Sequence, residues 1–347
     1  MAYTTIDKPS EHFSAMTYTG NASSSRDVTG VGFQPDFTWI KDVTGGFSHI
    51  LGNVASGDNK FVSSNNAAAE STDSTKFRTF VSDGFQVGNH NGTNANSNVY
   101  VSWNWKGANG TASNTDGDVT STLSANPTAG FSVLTATSTA TSGNTAIGHG
   151  LGKTPDVVFA RNTVRGFNWD VWFRTSGYTA TLQLNDANAS ARTGFGSGTN
   201  DSNVFSALYN YSALNGDEYI YYCMSSIKGF SKISQYTGNG VNGNGTFIYT
   251  GFKPAMVMIK RSDTGGNYVM FDNARSPFNT ADNAVSADLN DREYTSADGV
   301  VGIDMLSNGF KCKDNHTTRN ASGGVYQYLA IAENPFVTST GIPATAR

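Results

Sequence analysis

Apolar positions in this chain fall in short runs bounded by turn residues, and stripes at the helical period are hard to find. Three runs are nearly unbroken: Phe37-Thr38-Trp39-Ile40-Lys41, Val157-Val158-Phe159-Ala160 and Met256-Val257-Met258-Ile259. Rich in β-branched and aromatic residues, they predict core strands. A glycine-bearing turn follows each, at Gly45-Gly46, Arg165-Gly166 and Gly265-Gly266. Then a second apolar run begins, at Ser48-His49-Ile50-Leu51, Trp169-Asp170-Val171-Trp172-Phe173 and Tyr268-Val269-Met270-Phe271. Strand, turn and strand at this spacing predict an antiparallel hairpin three times over. Further on, Gly84-Phe85 and Gly309-Phe310 predict a positive-φ glycine at a turn with an aromatic opening the next strand. The middle third has Asn203-Val204-Phe205-Ser206-Ala207-Leu208 instead.

The hairpins belong to a longer repeat. Phe13-Ser14, Phe131-Ser132 and Phe230-Ser231 open it, and Pro35, Pro155 and Pro254 follow after 22, 24 and 24 residues. It closes at Val99-Tyr100-Val101-Ser102-Trp103-Asn104-Trp105, Glu218-Tyr219-Ile220-Tyr221-Tyr222-Cys223-Met224 and Val325-Tyr326-Gln327-Tyr328-Leu329-Ala330-Ile331. From Pro to the closing Tyr the intervals are 65, 64 and 72 residues. Such register predicts three units of roughly 100 residues, the size of ordinary domains. About six to eight short strands in each predict an all-β chain of three tandem β-sandwich repeats, jelly-roll or lectin-like. The expected division is an N-terminal docking segment at 1–12, a first sandwich at 13–106, a linker at 107–130, a second sandwich at 131–228 and a third at 229–347. The linker is expected because its residues are small and polar, and the short junction Lys228-Gly229-Phe230 predicts that the second and third units move together.

Composition narrows the functional classes. Charged residues are 14% of the chain, below the usual ~25%, while 21 Phe, 15 Tyr and 5 Trp provide large apolar areas to bury. That combination predicts folded sandwiches with a surface of neutral amides and hydroxyls. Net charge −4 gives no basic footprint, so nucleic acid is not an expected partner. No run is long and apolar enough for membrane insertion, and the start lacks a basic segment followed by an apolar one, so synthesis in a cytoplasm is expected. Cys223 and Cys312 read as buried small hydrophobes, with a bridge between them as the alternative.

The candidate chemical motifs do not hold together. Gly238-Asn239-Gly240-Val241-Asn242-Gly243 has the spacing of a dinucleotide loop but leads into Thr246-Phe247-Ile248-Tyr249, a strand pattern rather than a helix. Asn114-Thr115-Asp116-Gly117-Asp118 has oxygen ligands without the bidentate Glu of a helix-loop-helix calcium site. His12, His49, His90, His149 and His316 stand apart, with no His or Cys partner at metal spacing, and His149 between glycines is expected at a loop surface. Asp36 and Asp156 follow the repeated Pro, but Ala255 occupies that place in the third unit and Glu70 has no counterpart. Backbone bonding within the Pro-Asp turn is therefore expected of the two aspartates, rather than acid catalysis. No catalytic, cofactor-binding or metal-binding residues are assigned, and the chain is not expected to be an enzyme.

The phrase Gly32-Phe33-Gln34-Pro35-Asp36-Phe37-Thr38-Trp39-Ile40-Lys41, with the opening Met1-Ala2-Tyr3-Thr4-Thr5-Ile6-Asp7-Lys8-Pro9 and the closing Val99-Tyr100-Val101-Ser102-Trp103-Asn104-Trp105-Lys106, carries a resemblance. The chain resembles virion structural and tail-fibre-like proteins of tailed bacteriophages, particularly those infecting marine bacteria. The resemblance spans nearly the whole chain and is closest in the first unit; the second has Leu151-Gly152-Lys153-Thr154-Pro155 and the third ends without Trp. It implies a non-enzymatic component of the phage particle, a tail fibre, spike or capsid-surface decoration, residing in the virion. Implied partners are other copies of the chain, other virion proteins and host cell-surface glycan. A carbohydrate-binding module and a polysaccharide depolymerase are the alternatives.

Overall fold

The computed structural model describes residues 3–177, 181–189, 196–209 and 211–343. It is all-β, with antiparallel sheets throughout. The predicted hairpins form as Phe37–Asp42 with Ile50–Asn53, Val157–Asn162 with Asp170–Phe173, and Phe252–Arg261 with Val269–Asp272. In each large sheet the Pro-led strand pairs on its other side with the closing strand, and the closing strand pairs with the opening one. Thus Phe13–Thr19, Val99–Trp105, Phe37–Asp42 and Ile50–Asn53 lie in that spatial order, and the other two large sheets repeat it. Over the outer face of each lies a smaller sheet: Arg26–Thr29 with Gly84–Val87 and Thr79–Val81, Asn144–Gly148 with Val204–Leu208, and Phe247–Tyr249 with Gly309–Cys312 and Ile303–Leu306.

Closing and Pro-led strands are buried on both faces, which is why their sequences run apolar without alternation. Alternate residues separate the two environments. In the closing strand of the first unit Tyr100 joins a cluster under the small sheet, whereas Val101, Trp103 and Trp105 enter a core drawn from all three units. Tyr219, Tyr221 and Cys223 likewise turn outward while Ile220, Tyr222 and Met224 turn inward. Phe37 meets Tyr222 at 4.4 Å between ring centroids and Phe131 at 6.1 Å, and Trp103 Nε1 donates to Asp272 Oδ2 at 3.2 Å. Where the inner faces converge, among Trp39, Phe159, Tyr222, Met256 and Leu329, the remaining space is about 10 Å³. The inner faces leave almost no unfilled space at this point.

Each large sheet covers its inner face with the other two, so the three units share one core. The 107–130 stretch, expected as a linker, carries two strands. Ala112–Asn114 and Ser121–Asn126 pair with each other, and the latter pairs with Phe131–Thr137 as an edge extension of the second large sheet. Asp36 pins this stretch from the first unit, accepting from Gly107 N at 2.7 Å, Gly110 N at 3.1 Å and Ser124 Oγ at 2.8 Å. The expected docking segment 1–12, of which residues 1 and 2 lie outside the described part, is engaged within the chain itself. Ile6 is buried in the shared core, Thr4 Oγ1 donates to Lys228 O at 2.9 Å and Tyr3 Oη donates to Gly251 O at 2.8 Å.

A relay of loops closes the three units into a ring. Lys41, Arg161 and Lys260 occupy corresponding places on the inner faces, each at most 1% exposed. Lys41 Nζ donates to Phe47 O of its own hairpin at 2.8 Å and to Asn290 O of the third unit at 3.3 Å. Arg161 donates to Phe167 O of its own hairpin and to Ala68 O of the first unit. Lys260 Nζ donates to Gly266 O at 2.7 Å and, in the second unit, to Ala187 O at 2.8 Å and Asp186 O at 3.1 Å. Every unit therefore lends a loop to one neighbour and receives one from the other, a cyclic head-to-tail arrangement within one chain. Burial lowers both lysines to about 8. The lending loops are held by a second repeated bond: Asn65, Asn185 and Asp288 accept from the backbone N–H of His49, Trp169 and Tyr268 at 3.0, 2.9 and 3.1 Å.

Candidate functional site

The hairpin, the lent loop and the segment before the closing strand frame a surface groove in the first unit and a corresponding one in the third. The first, about 330 Å³, is lined by Phe47, Ser48, Asn66, Lys76, His90 and Asn290, among others. The second, about 300 Å³, has Asn267, Ser286, Tyr294, Asp298, His316 and Thr318 on its walls. Ile50 and Phe61 floor one; Val269 and Ala284 floor the other. His90 and His316 stand ten residues before the closing tyrosines Tyr100 and Tyr326, and Tyr209 stands ten before Tyr219.

Local chain geometry gives both imidazoles one orientation. His90 caps the short helix Asn91–Asn94, its Nδ1 accepting from Gly92 N at 2.9 Å. His316 Nδ1 lies 3.3 Å from the donating Thr318 N and 2.8 Å from Thr318 Oγ1. With Nδ1 an acceptor, the ring proton sits on Nε2. Burial, reinforced by Lys76 for His90 and by Arg319 for His316, lowers both pKa values and favours neutral rings. The turns are held from below by the closing tyrosines: Tyr100 Oη donates to Asn91 O at 2.6 Å and accepts from Ala95 N at 2.8 Å, while Tyr326 Oη donates to Thr317 O at 2.9 Å and accepts from Ala321 N at 2.8 Å. Charges nearby are largely compensated. Arg319 pairs with Asp314, Arg292 Nη2 with Asp298 Oδ1 at 2.7 Å, and Lys76 Nζ lies 4.9 Å from the Phe61 ring centroid and 3.8 Å from Asp73 Oδ2.

The other histidines serve the framework. His49 is buried, accepting at Nδ1 from Trp39 Nε1 at 2.8 Å, with Nε2 3.0 Å from Ser286 O and 3.1 Å from Leu289 O of the third unit. His149, expected at a loop surface, is fully buried: its Nδ1 accepts from Leu151 N at 3.1 Å and its Nε2 is 3.3 Å from Asp201 O. His12 packs against Phe230 and bonds Asn126. Asp36 and Asp156 do bond backbone N–H groups, but those of the segments just past the closing strands rather than of their own turns; Asp156 accepts from Ser226 N at 2.6 Å and pairs with Arg174. Glu70 pairs with Lys60 at 3.2 Å. Gly238–Gly243 lies in the loop before the strand Phe247–Tyr249; Asn114 Oδ1 accepts from Asp116 N at 2.8 Å, Asp116 Oδ2 accepts from Asn114 Nδ2 at 3.2 Å, and Asp118 Oδ2 accepts from Ala146 N of the strand Asn144–Gly148 at 2.7 Å. Among the described residues no three His, Cys, Asp or Glu side chains gather as metal ligands. Cys223 and Cys312 are buried free thiols, so the alternative of a bridge falls.

The matched sequence profile spans most of what these contacts hold together, residues 8–335, and is that of a domain of unknown function. The chain belongs to the DUF7483 family. No curated protein matches it. In this DUF7483 chain the hydrophobic repeat gives no sign of the grooves, but a polar signal is present. Asn89-His90 with Asn94-Ala95, and Asn315-His316 with Asn320-Ala321, stand at identical offsets from the closing tyrosines. No helix of the described DUF7483 residues is long and apolar enough to cross a membrane.

Proposed function

We propose that this chain is a non-enzymatic structural component of a bacteriophage particle: a tail fibre, spike or capsid-surface decoration that contacts neighbouring virion proteins and host surface glycan. The observation that carries the reading is the single apolar core through which all three units close on one another. A part exposed on a particle must resist proteolysis and local opening. A chain whose sheets each bury one face against two others has few segments that open alone. The low charge and amide-rich surface suit contacts with many neighbours, and the sequence resemblance supplies the phage context. The direct test is mass spectrometry of purified particles with copy counting. A fixed stoichiometric copy number supports the proposal; presence in infected-cell lysate with absence from purified particles refutes it.

A further inference from the structure

From the two grooves we infer a pair of corresponding saccharide sites, one in the first unit and one in the third, each taking a neutral pyranose ring. The inference rests on the host-contact part of the function proposed above and gives it an address. Four features carry it. Both grooves have a volume at the lower end of small-ligand sites, about 300 Å³. Both combine an apolar floor with a partly exposed aromatic, Phe47 in one and Tyr294 in the other, matching a sugar ring with one C–H face. Amides and hydroxyls surround that floor: Ser48, Asn66 and Asn290 in the first, Asn267, Ser286 and Thr318 in the second. Each edge also has an imidazole whose Nδ1 is engaged by its own turn, leaving Nε2–H as the donor toward the groove.

Charge selects a neutral ligand over an anionic one. Arg319 is only 3% exposed and neutralised by Asp314, and Asp298 is held by Arg292. Charges already paired, with Arg319–Asp314 buried, Arg292–Asp298 at the surface and Lys76 of the first groove 3.8 Å from Asp73 Oδ2, offer little to an incoming carboxylate or phosphate. The second unit supplies a different edge, with Tyr209 at the place of the histidines and Asn168 Nδ2 donating to Gln183 Oε1 at 3.0 Å between the positions matching Ser48 and Ser63. Among the described residues two sites, one in the first unit and one in the third, are expected.

The test uses the full chain with saturation-transfer NMR and calorimetry against glucose, galactose, mannose and N-acetylglucosamine, each as methyl glycoside and as oligomer. Variants are His90→Asp, His316→Asp and both together. Aspartate retains a side-chain acceptor for the turn N–H but has no donor to replace Nε2–H. At least one pyranose should bind at two sites in the parent protein. Each single variant should lose about ten-fold affinity at one site, and the double variant at both, with thermal unfolding little changed. Equal affinity for glycoside and oligomer identifies free sugar as the source, and a gain on the oligomer identifies a surface polymer; both retain the sites. Saccharide binding that the double variant leaves intact overturns the inference, as does failure of every sugar to bind a folded parent protein. Either failure leaves untouched the particle copy count on which the proposed function stands.

Discussion

His49 is the residue through which acid should weaken the ring. Its Nδ1 receives the Trp39 indole N–H, and its Nε2 faces two carbonyls of the third unit, so only the neutral tautomer carrying its proton on Nε2 fits. A second proton would set donor against donor at Nδ1. Burial, with the positive charges of Lys41 and Arg275, pushes the pKa from 6.5 to about 3. The unfolded chain takes up a proton below pH 6.5 while the folded chain does not. Stability contributed by the neutral ring is therefore complete above that value and lost as pH falls toward 3. Between pH 7 and pH 5 the loss amounts to ~2 kcal/mol. Asp288 acts with the opposite sign, because burial raises its carboxyl to about 6 and folding then favours its protonated form. The parent profile is thus a sum, and the difference between proteins isolates His49. His49→Gln keeps an acceptor and a donor but does not titrate. Urea unfolding at pH 7 and pH 5 should show a loss smaller by ~2 kcal/mol in this variant than in the parent. Equal losses in the two proteins, or an NMR titration placing His49 near 6.5, would refute the reasoning.

Other perturbations probe the same architecture. Lys260→Met removes the donor to three carbonyls and should cost about 3 kcal/mol in urea unfolding, whereas Arg161→Lys should cost under about 1 kcal/mol, because lysine holds the corresponding place in two units. Asp36→Ala strips acceptors from Gly107, Asn109, Gly110 and Ser124, and should cost roughly 3 kcal/mol while increasing hydrogen exchange at residues 107–126. Burial pushes the Cys312 thiol up to about 11 and raises that of Cys223. Neither should react with an aromatic disulfide reagent at pH 8 until denaturant is added, and rapid reaction of the native protein would contradict their placement.

The hairpins and the Phe-to-Pro register were legible because burial on both sides of a strand leaves a continuous apolar run. What covers the second face was not legible: Trp103 or Tyr222 reads the same beneath its own small sheet or against a neighbouring unit. The 107–130 stretch misled through composition. Ser121-Thr122-Leu123-Ser124 has a loop's polarity, yet forms a strand whose Ser124 hydroxyl serves Asp36 and the N–H of Ala108 at 2.8 Å. Gly84 and Gly309 were anticipated as conformational glycines, and only Gly84 has positive φ, at 156°. What they share is close approach: a Cβ would lie 1.9 Å from Val28 O at Gly84 and 2.1 Å from Ile248 O at Gly309. His149 looked exposed between two glycines because sequence cannot show that Asp201, far along the chain, meets its ring.

The distribution of polar contacts around the ring follows from connectivity. The first and second units, and the second and third, are consecutive, and an aspartate clamps each junction: Asp36 onto Gly107 and Asp156 onto Ser226. Ala255 stands at the corresponding place in the third unit, where Val325–Pro335 instead pairs with Phe252–Arg261 through a bulge. The third and first units are not consecutive, so no covalent link fixes their seam, and side-chain bonds add to the backbone bond from Glu293 N to Val43 O at 3.1 Å. There Asp272 accepts from Trp103 and pairs with Arg275 at 2.7 Å, Arg275 also holds Glu293 at 2.9 Å, and Ser64 Oγ donates to Ala287 O at 2.6 Å. His49 and Lys41 complete the set. Buried ion pairs and hydrogen bonds add less net stability than apolar packing would, but they penalise misalignment heavily. At the one seam without a covalent link they take the place of connectivity in holding the register of the first and third sheets.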